Sequence, residues 1–165
     1  MINNLVLRRL RYALDIREVD MARIFALAGH ASSDASISHL LSAEDHPEFT
    51  ECSDAVLENF LDGLIIDRRG SRPNVQADNP GPAPPRLTNN MILKKVRIAL
   101  ELREEHILDI MKAADFPLSK AELGGLLRKP GTRQYKPCGE QLLRNFLFGL
   151  GKIRRNRGPV APPTE

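Results

Sequence analysis

Slid 86 positions along itself, the chain lays residues 3–69 on residues 89–155 without a gap, and roughly a third of the paired positions are identical, which marks an internal duplication. Asn3-Asn4 falls on Asn89-Asn90, Arg11 on Arg97, Arg17-Glu18 on Arg103-Glu104, Cys52 on Cys138, and Asn59-Phe60-Leu61 on Asn145-Phe146-Leu147. Both copies must therefore satisfy one architecture. The shared positions are mostly of the kind that pack helices, whereas the positions able to carry chemistry differ between the copies. A unit of about 65 residues standing alone would bury only about 60% of its unfolded surface, so copies packed on each other are the safer arrangement.

Each copy reads as four short helices. The first starts at Asn3-Asn4 or Asn89-Asn90, whose side chains can cap the free amides of a first turn. It continues through Leu7, Leu10 and Leu14, or Leu93, Val96 and Leu100, at the three- and four-residue steps of an apolar stripe. The second covers about Val19 to Ala28 and Glu105 to Ala114, stopped by Gly29 in one copy and Pro117 in the other. The third starts at Ser33 or Ser119, and Glu122 completes a capping box with Ser119 that the first copy lacks. The fourth covers about Ser53 to Ile66 and Gly139 to Lys152, aligning Leu57, Phe60, Leu61 and Leu64 with Leu143, Phe146, Leu147 and Leu150. No alternating pattern supports a strand. The expected fold is all-α: a first unit over 1–69, a semi-stiff linker over 70–86 with five prolines, a second unit over 87–155, and a patternless tail over 156–165.

With no Trp and an aromatic share of 5%, the core is expected to be Leu, Ile, Ala and a few Phe. No apolar run approaches the roughly 20 residues needed to cross a bilayer, and the N-terminal charges lie inside the apolar pattern, so a cytoplasmic protein with no membrane partner is expected. Cys52 and Cys138 occupy equivalent positions without a nearby second ligand, which suits packing residues rather than a disulfide or a zinc site.

Net charge is +3, but residues 1–67 carry 5 basic against 12 acidic side chains and the remainder 19 against 9. Opposed surfaces of this kind either attract each other, within or between molecules, or leave the basic half free for a polyanion.

Together, TNNMILKKVRIAL, the Cys helix that ends in NFLDGL or NFLFGL, and the tandem arrangement resemble the bacterial YehS-like family, domain of unknown function 1456, across both copies. The resemblance implies a small cytoplasmic bacterial protein made of two copies of an α-helical domain, with no activity attached. The Pro-rich linker and long tail depart from the family pattern.

IFALAG followed by Ser33 to Leu41 suggests a helix-turn-helix. In the first copy the second helix offers Asp34, Ser36, Ser38 and His39 but no Lys or Arg, so major-groove reading is not expected there. In the second copy the same helix has Lys120, Arg128 and Lys129, weakened by Gly124-Gly125. The loop between helices three and four diverges most, from EDHPEFTE to PGTRQYKP. Its second version sets Arg133, Tyr135 and Lys136 between Arg128-Lys129 and Arg144, a mixture of cations and an aromatic ring that suits single-stranded nucleic acid. Lys152, Arg154, Arg155 and Arg157 add cations toward the end. A second group, Arg8, Arg9 and Arg11 with Lys94, Lys95 and Arg97, keeps its charge in both copies as a basic arc on the first helix, either facing a partner or pairing with acids such as Asp15 and Glu101.

Enzymatic chemistry finds little support. His30, His39, His46 and His106 never take the i, i+4 spacing of a helical metal pair, and no glycine-rich phosphate loop is present. His39, His46 and Asp45 form a weak metal candidate, and a reactive Cys52 would need a lowered pKa. The sequence thus points to a non-catalytic binding protein, without cofactor, metal or small-molecule substrate. Its basic second copy is expected to contact RNA or DNA; the alternative is a protein-interaction or self-association module built on the opposed charges.

Overall fold

A computed structural model describes residues 2–29, 34–70 and 86–156, with the side chains of residues 34, 35, 155 and 156 excepted. The linker and tail expected at 70–86 and 156–165 fall almost wholly outside these residues. The described residues form helices only: α1 (Asn3–Leu14), α2 (Glu18–Leu27), α3 (Asp34–Leu41), α4 (Asp54–Arg69), α5 (Asn89–Leu100), α6 (Glu104–Ala113), α7 (Lys120–Leu126) and α8 (Glu140–Asn156). The starts of α5, α6, α7 and α8 each lie 86 residues beyond those of α1 to α4, so the duplication is structural as well as sequential.

Several boundaries differ from the sequence reading, each for a local reason. Asn3 and Asn4 lie inside α1, whose N-cap is Ile2, and the cap of α5 is Thr88, whose hydroxyl accepts from the Met91 amide at 3.2 Å. Helix α6 ends not because of Pro117 but because Asp115 turns to φ 56°, the left-handed conformation that Gly29 adopts at φ 86° in the first unit. Helices α4 and α8 run to Arg69 and Asn156, about a turn beyond the expected ends. The Ser119 and Glu122 capping box forms as the sequence suggests.

The leucine stripes of α1, α4, α5 and α8 converge. Leu57, Phe60, Leu61 and Leu64 of α4 are fully buried, as are Leu143, Phe146, Leu147 and Leu150 of α8 to within 2% exposure. These residues belong to one continuous core drawn from both units. The pairing is crossed: α4 packs along α5 and α1 along α8, so each unit's first and last helices lean on the other unit. Helix α2 lies on α4 and α6 on α8. Those contacts are close enough to require glycine, since a Cβ on Gly63 would sit 2.0 Å from the Ile24 carbonyl oxygen and one on Gly149 2.1 Å from that of Ile110.

Polar contacts fix the direction of the four central helices. Asn3 Nδ2 donates to Asp54 at 2.7 Å, joining the starts of α1 and α4. The Leu87 amide donates to the other Asp54 oxygen at 3.1 Å, joining the starts of α4 and α5. Further along, Lys95 meets Asp62 at 2.5 Å, and near the far end Arg69 lies 3.6 Å from Glu101. Helices α4 and α5 therefore run parallel. Asn89 Nδ2 reaches the Cys138 carbonyl at 3.1 Å, just before α8, so all four N-termini gather at one end.

Candidate polyanion-binding end

The shared Asn pairs build this end. Asn4 is 0% exposed and donates to the Leu40 and Thr50 carbonyls at 2.9 and 2.7 Å, while its Oδ1 accepts from the Cys52 amide at 2.8 Å. Asn90 repeats this with Leu126, Lys136 and Cys138 at 3.0, 2.8 and 2.8 Å. An amide with two donors and an acceptor can satisfy three backbone groups at once. Each buried Asn thus clamps the loop between the third and fourth helices onto the end of the bundle. The clamps are identical, so the two loops differ in what they display rather than in how they are anchored.

In the second unit the clamped loop displays cations. Arg128, Lys129 and Arg133 are exposed and make no ion pair among the described residues. Lys94, from the arc on α5, donates its ammonium to the Arg128 carbonyl at 3.0 Å and so joins this group. Lys136 is engaged with Glu122 at 2.9 Å, which holds the Glu122 carboxyl below its usual range. Tyr135 is half-buried, and a Cβ on Gly125 would lie 2.8 Å from the Gln134 carbonyl, so the loop presses on α7 at that glycine. Arg144, one turn into α8, is exposed and lies 3.1 Å from Glu140. Lys152 stands about 18 Å beyond the start of α8 at 1.5 Å per residue and donates to the Ala113 carbonyl at 3.2 Å. Arg154 follows two residues later in the same helix, so the sequence candidates split into a group at the N-terminal end of α8 and another at its C-terminal end. The Arg155 side chain lies outside the described set, as does Arg157.

The first-unit loop is acidic at the same end, with Glu44, Asp45, Glu48 and Glu51 exposed. His39 Nε2 lies 3.0 Å from the Glu48 carboxylate and the His46 ring accepts from the Glu48 amide at 3.1 Å, so both rings are anchored to one residue. Among the described residues no three His, Cys, Asp or Glu side chains gather as metal ligands. Both thiols are buried; desolvation, with the nearby Asp54 charge, pushes Cys52 up to about 12, and desolvation pushes Cys138 up to about 11 against the opposing Lys136 charge. Such thiols are poor nucleophiles.

The expected pairing of the arc with Asp15 and Glu101 does not form among the described residues, where Glu101 lies against Arg69 instead. Lys95 pairs with Asp62 across the units, and Arg8, Arg9, Arg11 and Arg97 have no ion pair among the described residues. Two exposed rings escape a reading of the sequence: Tyr12 and Phe148, at 61% and 45% exposure. Phe148 is legible in principle, since it replaces Asp62 of the first unit.

These features define a tandem all-α protein with two oppositely charged loops on one end of a shared core. The chain belongs to the family described as "Protein of unknown function (DUF1456)", matched over residues 3–70 and 89–158. It is 38% identical over 150 residues to "Uncharacterized protein YehS" of Escherichia coli (strain K12), covering 91% of this chain and 94% of that protein. No solved structure matches it. No helix among the described residues is long and apolar enough to cross a membrane.

Proposed function

We propose that this protein is a non-catalytic binding module that contacts RNA or DNA through the basic end of its second unit. The observation that carries the reading is the group Lys94, Arg128, Lys129 and Arg133, four cations brought together by the α5-to-loop hydrogen bond with no carboxylate partner among the described residues. The N-termini of α5 and α8 underlie the same end, and their dipoles add positive potential where phosphate would approach. Arg144 extends the surface. The acidic loop beside it limits docking to one half of the end, which orients a long polyanion.

Fluorescence anisotropy with labelled single-stranded RNA, single-stranded DNA and duplex DNA tests this. Micromolar or tighter binding is expected, weakening with a logarithmic salt slope of about 0.7 to 0.9 per phosphate neutralised. Failure to bind any of the three at low salt would overturn it. A second reading, protein docking or self-association, draws on the acidic loop occupying the same end. Sedimentation that shows a salt-sensitive dimer without nucleic-acid binding would favour it.

A further inference from the structure

The duplication supplies an internal control for a cavity away from the basic loop. In the second unit a cavity of about 210 Å³ opens between the α5–α6 turn, α6 and the C-terminal part of α8. Its apolar lining includes Ile110, Leu150 and Ile153, and Glu101, Asp109, His106 and Arg154 stand around it. At the matching place in the first unit Arg23 and Asp67 form an ion pair, and Arg23 also lies 3.6 Å from Asp20. The second unit has Asp109 where the first has Arg23, and Ile153 where it has Asp67. Both members of the bridge are absent from the second unit, and Asp109 and Ile153, which stand in their places, line the cavity.

The lining has the character of a small-ligand site. At about 30 Å³ per water the cavity holds roughly seven water-sized groups, below the size of drug-like pockets but enough for a ligand of amino-acid size. Its charges are of both signs. Arg154 is engaged within the fold, yet a guanidinium carries five N–H donors and suits a carboxylate. Asp109, and Glu101 with the carboxylate oxygen it does not turn to Arg69 at 3.6 Å, suit an ammonium group, and the apolar side chains suit an aliphatic stem. His106 accepts from the Arg103 amide through Nδ1 at 3.0 Å, which leaves Nε2 as the ring's available hydrogen-bonding atom.

We infer that the cavity between the α5–α6 turn and α8 binds a small amphipathic zwitterion of the aliphatic α-amino acid class. Its carboxylate would meet Arg154, its ammonium Glu101 and Asp109, and its side chain Ile110, Leu150 and Ile153. The site is independent of the nucleic-acid reading, so either can fail alone.

The test is an amide chemical-shift titration of the full chain with L-leucine, run beside isoamylamine, which lacks the carboxylate, and 4-methylpentanoate, which lacks the ammonium. Leucine is expected to bind with a millimolar or lower Kd, about 4 kcal/mol or more of affinity, and to shift residues 100–110 and 150–154. Each comparator is expected to bind at least about tenfold more weakly. The double variant D109R/I153D rebuilds the first unit's ion pair inside the cavity and is expected to abolish the leucine shifts while retaining the dispersed spectrum of a folded chain. No leucine shift up to about ten times a millimolar Kd would overturn the inference, as would equal binding of all three probes or unchanged binding in the folded double variant. Should the double variant not fold, R154Q takes its place, with the same loss of leucine binding expected and unchanged binding refuting the assignment.

Discussion

Replacing Asn4 by Ala tests how the bundle end is held. The side chain is fully buried and serves two carbonyls and one amide at 2.7 to 2.9 Å. Truncation leaves three backbone groups, two of them buried and the Thr50 carbonyl partly so, without their partner, and each orphan costs about 1–3 kcal/mol unless water reaches it. Allowing for partial hydration at the loop, the expected loss is about 3–5 kcal/mol. Asn90→Ala should cost the same within error, because its three bonds, at 2.8 to 3.0 Å, reproduce the geometry. Asn4→Asp is an informative control: a carboxylate still accepts from Cys52 but cannot donate to Leu40 and Thr50, so it should be nearly as damaging. Asn3→Ala, which loses one carbonyl and one carboxylate partner in a half-buried setting, should cost only about 1 kcal/mol. Urea unfolding followed by circular dichroism provides the readout. With a slope of about 2 kcal/mol per molar urea, the Asn4 and Asn90 variants should shift the midpoint down by about 1.5–2.5 M. A shift under about 0.5 M for both, equivalent to about 1 kcal/mol, would refute the clamp.

Gly63→Ala and Gly149→Ala should each destabilise by about 1–3 kcal/mol in the same assay despite the better helix propensity of Ala, because the new Cβ meets a backbone carbonyl. Gly124→Ala, whose added methyl would have nothing within 4 Å, should instead stabilise by about 0.5–1 kcal/mol. Native protein at pH 8 should leave both thiols unreacted toward a chromogenic aromatic disulfide, and both should react on unfolding; rapid native reaction would contradict their burial. Asp54 has its carboxyl held below the usual value by the Asn3 hydrogen bond first and the Leu87 amide second. A depressed folded pKa gives stability that is present above the unfolded value, about 3.9, and lost as pH falls through the folded one. Asp54→Asn should therefore flatten the acid limb of a stability–pH profile below about pH 4, and an unchanged limb would count against the bridge.

The helices are legible in the sequence because apolar stripes at three- and four-residue steps report burial directly, as Leu7, Leu10, Leu57 and Leu143 show. The Asn pairs read as caps in the sequence and act as clamps in the structure, for a physical reason. Asn at a helix start can accept from its own first turn or reach a distant backbone, and sequence carries no record of which. In the second unit, Thr88 just before Asn89 is the better cap and the available clue. The crossed pairing of α1 with α8 and α4 with α5 is hidden because an apolar stripe states that it is buried but not against what. For the candidate site, the basic composition of the loop is readable, whereas its union with Lys94 and the engagement of Lys136 by Glu122 depend on tertiary geometry. The cavity is invisible for the same reason: Asp109 and Ile153 look ordinary until they are set against the Arg23–Asp67 pair they replace.

The most direct measurement compares two charge-matched double variants for binding of labelled single-stranded RNA by fluorescence anisotropy. R128E/R133E reverses the clamped loop, and R9E/K112E reverses two exposed cations elsewhere. The loop variant is expected to lose at least about a hundredfold in affinity while the matched variant loses less than about tenfold. Equal losses would show attraction to net charge alone and would contradict a binding site at the basic end.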